Sequence, residues 1–317
     1  MKFCVILEGK VAIITGGAGG IGSATARLFA AHGAYVIIAD VDDKTGERVA
    51  LQIGRRVLFK HCDVAQEANV AATVDFAIER FGKLDILYNN AGIASPLDTF
   101  QNLDMDIYDR CTAVNVRGVV LGIKHAARVM VPRRQGTILN TASIASVVTG
   151  GTMKLIYNMN KMNLPGLTKI AAYHLGKHGL RVNCISPAGI PTQMIVAWHK
   201  QFALEAIDMD TVEAAFLRCS PLDGKTCTTE DIARGALFLC SDDSGYVSGQ
   251  NLIVDAGYTN IVDYDPMGLN KNHMSANSSE SGSSSGDMRL NKNHKSVNGS
   301  VSSSSNGHKG TLETETE

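Results

Sequence analysis

The sequence predicts an α/β fold: one doubly wound domain of about seven parallel strands with helices on both faces. Two observations predict it. Short apolar runs that suit strands buried on both faces alternate with segments of helical periodicity along residues 10–254. The first run, residues 10–15, leads directly into the glycine-rich turn of residues 16–22, and a helix follows. This strand–turn–helix order is typical of Rossmann-type, dinucleotide-binding domains.

The remaining strands are predicted from further apolar runs in chain order. They are residues 34–39, 57–60, 84–88, 137–141, 181–185 and 251–254. Ligands of doubly wound sheets bind at the carboxyl ends of the strands. We therefore expect the segments that follow predicted strands, residues 89–92, Ser143 and residues 187–190, to meet at one edge of the sheet.

The glycine-rich turn predicts a phosphate site. Gly16, Gly20 and Gly22 leave bare backbone at the start of a helix whose apolar face begins with Ile21. A pyrophosphate can approach such a backbone at the positive helix end. Asp40 ends the second predicted strand, eighteen residues after Gly22, where a carboxylate can bind the adenosine ribose. That carboxylate would repel a 2′-phosphate, so the sequence predicts NAD as the cofactor.

A tyrosine and a lysine four residues apart, Tyr157 and Lys161, predict the reacting groups. They lie on one helix face, where an ammonium can lower the phenol pKa from its ordinary value of about 10. Ser143 could then hold a substrate oxygen while Tyr157 takes its proton. By itself a Tyr-x-x-x-Lys pair is common by chance. Its occurrence together with the glycine turn supports the catalytic interpretation.

Composition excludes several other classes. The net charge is −1 and no basic run occurs, which argues against nucleic acid. The seven cysteines are scattered without a Cys-x-x-Cys pair and predict reduced thiols. The adjacent residues His61, Cys62 and Asp63 cannot converge on one ion, so no metal is expected. No apolar stretch is long enough to span a membrane, and residues 1–8 are too short for a leader, so we expect a cytoplasmic protein.

The composition changes sharply near residue 263. We assign residues 1–262 to the NAD-binding domain and residues 263–317 to a disordered tail rich in Ser, Asn and Gly. The tail contains a short duplication, Leu-Asn-Lys-Asn-His, at residues 269–273 and 290–294. Both an extension without a specific role and a partner-binding segment fit this composition.

With these motifs assembled, residues 8–258 resemble the short-chain dehydrogenase/reductase family. The resemblance implies a cofactor turn at residues 15–22, an adenine contact at Asp63 and Val64, and a central-strand motif that contains Asn90. It implies Asn115, Ser143, Tyr157 and Lys161 as the four catalytic residues, with Lys161 also binding the nicotinamide ribose. It further implies a nicotinamide loop at residues 187–192, in which Ile190 and Thr192 contact the carboxamide.

Several segments look more narrowly like the plant branch of secondary-alcohol dehydrogenases of secondary metabolism. This resemblance implies hydride exchange between NAD and a hydrophobic secondary alcohol or ketone, terpenoid-, lignan- or steroid-like. It also implies a homodimer or homotetramer. Substrate contacts would come from the segment after Thr192, although its spacing equally fits an ordinary amphipathic helix. Its apolar residues are Met194, Ile195, Trp198, Phe202, Leu204 and Met209.

The segment around the tyrosine departs from the family pattern. Asn160 and Asn163 are larger than the serine and alanine expected, and Pro165 lies four residues after Lys161. A proline inside a helix removes a hydrogen bond and crowds the carbonyl four residues earlier, which predicts a kink. Two alternatives therefore stay open at this point: a catalytically weakened NAD-binding scaffold, and an interaction protein that presents its tail to partners.

Overall fold

A computed structural model describes residues 5–149, 154–202 and 207–260, with the side chains of residues 201 and 202 excepted. By its internal contacts the chain divides into two units, Met1–Val262 and Asp263–Glu317, and all described residues belong to the first. The predicted tail lies outside the described residues, as does Leu204.

Strands and helices alternate along the described chain, as the hydrophobic pattern predicts. They are β1 (Val11–Thr15), α1 (Gly20–Ala31), β2 (Tyr35–Asp40), α2 (Asp43–Ile53), β3 (Val57–His61), α3 (Glu67–Phe81), β4 (Ile86–Asn89), α4 (Met105–Thr112), a π-helical segment (Ala113–Arg117), α5 (Gly118–Met130), β5 (Gly136–Thr141), α6 (Leu155–Gly176), β6 (Leu180–Pro187), α7 (Gln193–Phe202), α8 (Met209–Cys219), α9 (Thr229–Cys240) and β7 (Asn251–Val254).

The seven strands form one parallel sheet in the order β3-β2-β1-β4-β5-β6-β7. The predicted doubly wound α/β class is confirmed. The strand order reverses between β1 and β4, and the carboxyl ends of the strands open into a crevice at that point. The glycine turn follows β1 and the segment that begins at Asn90 follows β4, so both lie at this crevice.

Both faces of the sheet are covered, and β1 shows why its sequence is apolar throughout. Ile14 belongs to a buried cluster that includes Phe29 of α1 and Ile232 of α9. Its neighbour Ile13 belongs to a second cluster that includes Val74 of α3. Successive strand residues point to opposite faces, so a strand between two helical layers must be apolar at every position.

The His61, Cys62 and Asp63 cluster does not converge. His61 Nδ1 lies 2.6 Å from the Asp43 carboxylate, whereas the Cys62 side chain is buried. Within residues 5–149, 154–202 and 207–260, no group of His, Cys, Asp or Glu side chains could hold a metal ion. The six cysteines in the described part of the chain are free thiols. None of the described helices is long and apolar enough to cross a membrane.

Candidate active site and nucleotide cleft

Three of the four predicted reacting residues meet beside the end of β5. Ser143 follows β5, and Tyr157 and Lys161 project from α6. The Lys161 Nζ atom lies 5.6 Å from the centroid of the Tyr157 ring. A hydrogen bond also joins the Ser143 and Tyr157 side chains. The four-residue spacing and the position after β5 therefore bring a phenol, a hydroxyl and an ammonium into one small volume.

Lys161 is a buried ammonium with a fixed position. Its side chain is 3 % exposed, and Nζ donates a hydrogen bond of 2.7 Å to the carbonyl oxygen of Thr141 at the end of β5. Burial penalises the charged form and lowers the pKa of Lys161 to about 8. The amine is therefore close to titration near neutral pH.

The Tyr157 phenol has a raised pKa in this structure. Burial raises it, and the hydrogen bond with Ser143 acts in the opposite direction without cancelling the effect. The sequence predicted a lowered pKa because Lys161 lies nearby, and that prediction is wrong. Lys161 directs its ammonium to the Thr141 carbonyl, so the effect of burial dominates the pKa of the Tyr157 phenol.

Pro165 does not interrupt the catalytic helix. Helix α6 is continuous from Leu155 to Gly176 with Pro165 inside it. The kink predicted at Pro165 therefore does not separate the catalytic pair, because Tyr157 and Lys161 keep their common face one turn earlier. Packing of α6 against β6 and β5 holds the helix across the missing hydrogen bond, since apolar and polar residues along its length, including Ile156, Leu164, Thr168 and Ala171, are buried.

Asn115 lies in the π-helical segment between α4 and α5 and is 1 % exposed. Its Oδ1 atom accepts a hydrogen bond of 2.8 Å from the Ile93 N–H. Its Nδ2 atom donates to the Ile93 carbonyl at 2.9 Å. The side chain therefore holds the backbone segment after β4 and does not point freely into the cleft.

The backbone geometry of the glycine turn fits the binding of a dinucleotide. Gly16 has a φ of +63°, and a Cβ there would lie 2.8 Å from the Ala91 Cα atom. A Cβ on Gly22 would overlap the Gly16 carbonyl oxygen. Gly19, which precedes α1, supplies no side-chain cap, and a Cβ on it would meet nothing within 4 Å. Backbone donors at the start of α1 thus face open space, as phosphate binding requires.

Asp40 is oriented toward this turn by the backbone. One carboxylate oxygen accepts from the Ala18 N–H at 3.0 Å and the other from the Asp42 N–H at 3.1 Å. A carboxylate oxygen has two lone pairs, so both keep acceptor capacity for ribose hydroxyls. The Cys62 N–H donates to the Asp40 carbonyl, which places Asp63 at the neighbouring strand end.

Val64 is buried against the start of α5, where a Cβ on Gly118 would lie 3.0 Å from a Val64 methyl group. Asp63 accepts a hydrogen bond of 2.9 Å from the Ala65 N–H through Oδ1. The two residues therefore form a fixed turn after β3, on the same side of the crevice as Asp40.

Asn90 braces the cleft. Its Nδ2 atom donates to the carbonyl oxygens of Thr15 at 3.1 Å and Gly16 at 3.3 Å. Its Oδ1 atom accepts from the Thr141 hydroxyl at 3.1 Å. One amide thus joins the ends of β1, β4 and β5. The side-chain amide of Asn90 is therefore engaged by protein groups on the glycine turn and on β5.

The predicted nicotinamide loop closes over the glycine turn. Ile190 is buried in the core cluster of α1 and α9. Thr192 lies above the turn, since a Cβ on Gly20 would be 3.4 Å from the Thr192 methyl group. At Gly189 a Cβ would overlap the Phe216 ring of α8. Gly20 and Thr192, which are 172 positions apart in sequence (192 − 20), therefore lie on the two walls of one cleft.

Helix α7 is fastened to the catalytic helix through contacts that sequence reasoning missed. The Trp198 Nε1 atom donates a hydrogen bond of 2.6 Å to the Ser95 carbonyl, and the Ser95 hydroxyl accepts from the Tyr157 N–H at 3.3 Å. The Lys154 ammonium lies 3.9 Å from the centroid of the Trp198 ring. Burial lowers the pKa of Lys154 to about 8. No sequence motif marks Ser95 or Lys154, because only the fold brings them to Trp198.

The fold and this site together define an oxidoreductase that uses a nicotinamide nucleotide. A family model described as enoyl-(acyl carrier protein) reductase matches residues 16–259. The chain belongs to the short-chain dehydrogenase/reductase family, in its plant branch of alcohol dehydrogenases.

Relatives and solved structures agree with this assignment. Momilactone A synthase of Oryza sativa subsp. japonica is 47 % identical over 254 residues, which cover 79 % of this chain and 90 % of that protein. (+)-Borneol dehydrogenase 2 of Salvia officinalis is 42 % identical over 256 residues, with coverage of 80 % and 90 %. The structure of 3-ketoacyl-(acyl-carrier-protein) reductase from Brucella melitensis complexed with NADH matches with a TM-score of 0.70 at 33 % identity, covering 80 % of this chain and 99 % of that one.

Proposed function

We propose that the protein interconverts a hydrophobic, cyclic secondary alcohol and its ketone with NAD, and that Tyr157 is the general base. The observation that carries the proposal is the grouping of Tyr157, Ser143 and the buried Lys161 ammonium beside the nucleotide cleft. The names of the two plant relatives support an alicyclic substrate. A screen of terpenoid, lignan and steroid alcohols for NAD⁺ reduction at 340 nm tests it; activity with none of them would count against it.

Each side chain has a distinct part in this proposal. When bound, NAD⁺ would supply the hydride acceptor for the carbinol carbon. Ser143 holds the substrate oxygen, and Tyr157, which is hydrogen-bonded to Ser143, accepts the hydroxyl proton. The charge of Lys161 stabilises the phenolate that must form, since the raised pKa of Tyr157 has to be overcome during the reaction. Asn115 supports the backbone beside them.

The turn residues Gly16, Gly20, Ile21 and Gly22 would hold the pyrophosphate at the start of α1. Asp40 would bind the adenosine ribose, and Asp63 and Val64 would border the adenine. Ile190 and Thr192 would border the nicotinamide, and Lys161 would bind its ribose. The residues fit this arrangement, because Gly16 and Gly22 have no room for a Cβ and the space beside Gly19, at the start of α1, is open.

The preference for NAD over NADP should depend on the charge of Asp40. We expect Asp40→Asn to improve kcat/KM for NADP at least tenfold, because the repulsion between a carboxylate and the 2′-phosphate is removed. The same change should weaken the binding of NAD about tenfold, because hydrogen bonds to the ribose are lost. Asp43→Asn is the matched control, since this exposed carboxylate instead contacts His61. Unchanged selectivity in Asp40→Asn would remove the argument for NAD.

The apolar substrate pocket is proposed to lie beneath α7, which Trp198 fastens to the Ser95 carbonyl. We expect Trp198→Ala to raise KM for the alcohol about tenfold or more, since it removes this bond and a large apolar surface. KM for NAD should change less than twofold. Lys200→Ala, an exposed change on the same helix, serves as control. Equal effects on both KM values would show a general loss of structure.

A homodimer or homotetramer is also part of the proposal. Along the outer side of α6, Met162, Ile170 and Tyr173 are exposed and recur at helical spacing. A face of this kind is covered when a second copy of the chain packs against it. Analytical ultracentrifugation of the wild type and of Ile170→Glu tests this, with a monomeric wild type as the contrary result.

We place catalysis in residues 1–262 and expect the tail to be dispensable. Deleting residues 263–317 should leave kcat and KM within about twofold of the full chain, because the predicted site lies wholly in the first unit. A large loss of turnover would favour the alternative in which the tail acts on partners or on the site.

A cytosolic location completes the proposal and is tested with a fluorescent fusion that carries the full chain.

The weakened-scaffold alternative loses its main support. It rested on a break of the catalytic helix at Pro165, and α6 is continuous there. A scaffold would still bind NADH without turnover, and the same substrate screen, combined with an NADH titration, separates the two functions.

A further inference from the structure

Asn160 is a buried amide directly before Lys161, and both ends of its side chain are engaged. The residue is 1 % exposed. Its Nδ2 atom donates to the Thr112 hydroxyl at 2.9 Å, and its Oδ1 atom accepts from Asn115 Nδ2 at 3.3 Å. A buried side-chain amide is costly unless its groups are paired, so this arrangement requires both partners.

The two partners of Asn160 lie where α4 passes into the π-helical segment. Thr112 ends α4, and Asn115 lies in the π-helical segment that follows. Such segments are rare and are frequent at functional sites. Asn160 therefore ties the end of α4 and the middle of the π-helical segment to the helix that carries Tyr157 and Lys161.

The Asn115 amide, which is hydrogen-bonded to Asn160, also holds the backbone that lies beside Lys161. Asn115 pairs with both the N–H and the carbonyl of Ile93, next to Gly92. A Cβ on Gly92 would lie 3.2 Å from Asn115 Oδ1 and 3.7 Å from Lys161 Nζ. The backbone that Asn115 holds is thus a wall beside the Lys161 ammonium.

We infer that Asn160 is a positioning residue that fixes the orientation of the Asn115 amide and, through it, the wall beside Lys161. Because Asn160 directs its Nδ2 donor to Thr112, the atom that it turns toward Asn115 is Oδ1, which is an acceptor. This acceptor faces Asn115 Nδ2 and reinforces the orientation in which Asn115 Oδ1 accepts from the Ile93 N–H and Nδ2 donates to the Ile93 carbonyl. A serine, the residue expected by resemblance, offers one hydroxyl and cannot span both partners. The effect on turnover rests on the proposed function, whereas the effect on Ile93 does not.

Asn160→Leu tests the inference because it keeps the number and branching of the side-chain heavy atoms and removes both hydrogen bonds. We expect exchange of the Ile93 amide hydrogen, followed by NMR, to become about tenfold faster as its acceptor loses orientation. The value of kcat should fall about tenfold with KM for NAD nearly unchanged, and the alkaline limb of the pH–kcat profile should shift. Asn163→Leu is the control: Asn163 is exposed, and its Nδ2 donates only to the Met159 carbonyl at 2.8 Å on the same helix.

A double-mutant cycle separates positioning from a general structural effect. In an Asn115→Leu background, Asn160→Leu should change kcat less than twofold, because the residue through which it acts is gone. If Asn160→Leu does not fold, Asn160→Ser is measured in the same way. Unchanged Ile93 exchange, or an equal loss of kcat in both backgrounds, would overturn the inference. Faster Ile93 exchange in a protein whose wild type shows no turnover would support the inference while the proposed function fails.

Discussion

Tyr157→Phe is expected to lower kcat for alcohol oxidation by about 10³- to 10⁴-fold, while the affinity for NADH changes less than twofold. The change removes one oxygen, which is the atom that accepts the substrate proton in the proposed mechanism. The ring remains, so its packing in α6 and its contact with Lys161 are retained. Stopped-flow measurement of NADH formation and an NADH fluorescence titration give the two quantities.

Tyr173→Phe provides the matched control for this change. Tyr173 lies on the same helix, but 82 % of its surface is exposed, so its hydroxyl has no part in the cleft. Its activity should equal that of the wild type. If Tyr157→Phe keeps even a tenth of the wild-type kcat, another group takes the proton and the mechanism is wrong.

Lys161→Met is expected to lower turnover strongly and to stabilise the fold. The loss of a preorganised charge beside the phenol should cost about 10²- to 10³-fold in kcat. At the same time, the native state would no longer hold a buried ammonium, whose pKa is lowered from 10.5 to about 8. A shift of this size is worth roughly 3 kcal/mol at pH 7, and the lost bond to Thr141 offsets about 1 kcal/mol, which leaves a gain on the order of 2 kcal/mol.

The pH dependence of this stability difference has a definite sign. Between pH 8 and 10.5 the unfolded wild type binds the Lys161 proton more strongly than the folded protein does, so wild-type stability rises with pH in that range. The advantage of Lys161→Met should therefore be full below about pH 8 and shrink above it. Urea unfolding of both proteins at pH 7 and pH 9.5 measures this, and the exposed Lys169→Met should show no gain. A less stable Lys161→Met at pH 7 would contradict the buried-charge argument.

Local spacing was enough to predict the parts of the cleft that are built within one segment. The strand–turn–helix pattern placed the glycine turn at the end of β1, and the four-residue interval placed Tyr157 and Lys161 on one helix face. These predictions hold because they depend on the periodicity of a strand or a helix, which is set by a few neighbouring residues.

Predictions that depended on the surroundings of a side chain fared differently. The expected lowering of the Tyr157 pKa failed because burial, which spacing cannot show, dominates at that phenol. The expectation that Pro165 would disturb the catalytic pair failed because packing along the whole of α6 outweighs one missing hydrogen bond and the helix is continuous. Both errors came from treating a local interaction as though it acted alone.

By itself, the sequence determined the α/β class, the parallel sheet, the glycine turn with Asp40, and the pairing of Tyr157 with Lys161. Only the tertiary structure decided the burial of Lys161, the bracing of three strand ends by Asn90, the fastening of Trp198 to Ser95, and the engagement of Asn160 with Thr112 and Asn115. The reason is that periodicity is a property of adjacent residues. Desolvation and side-chain hydrogen bonds depend instead on which distant segments the fold brings together.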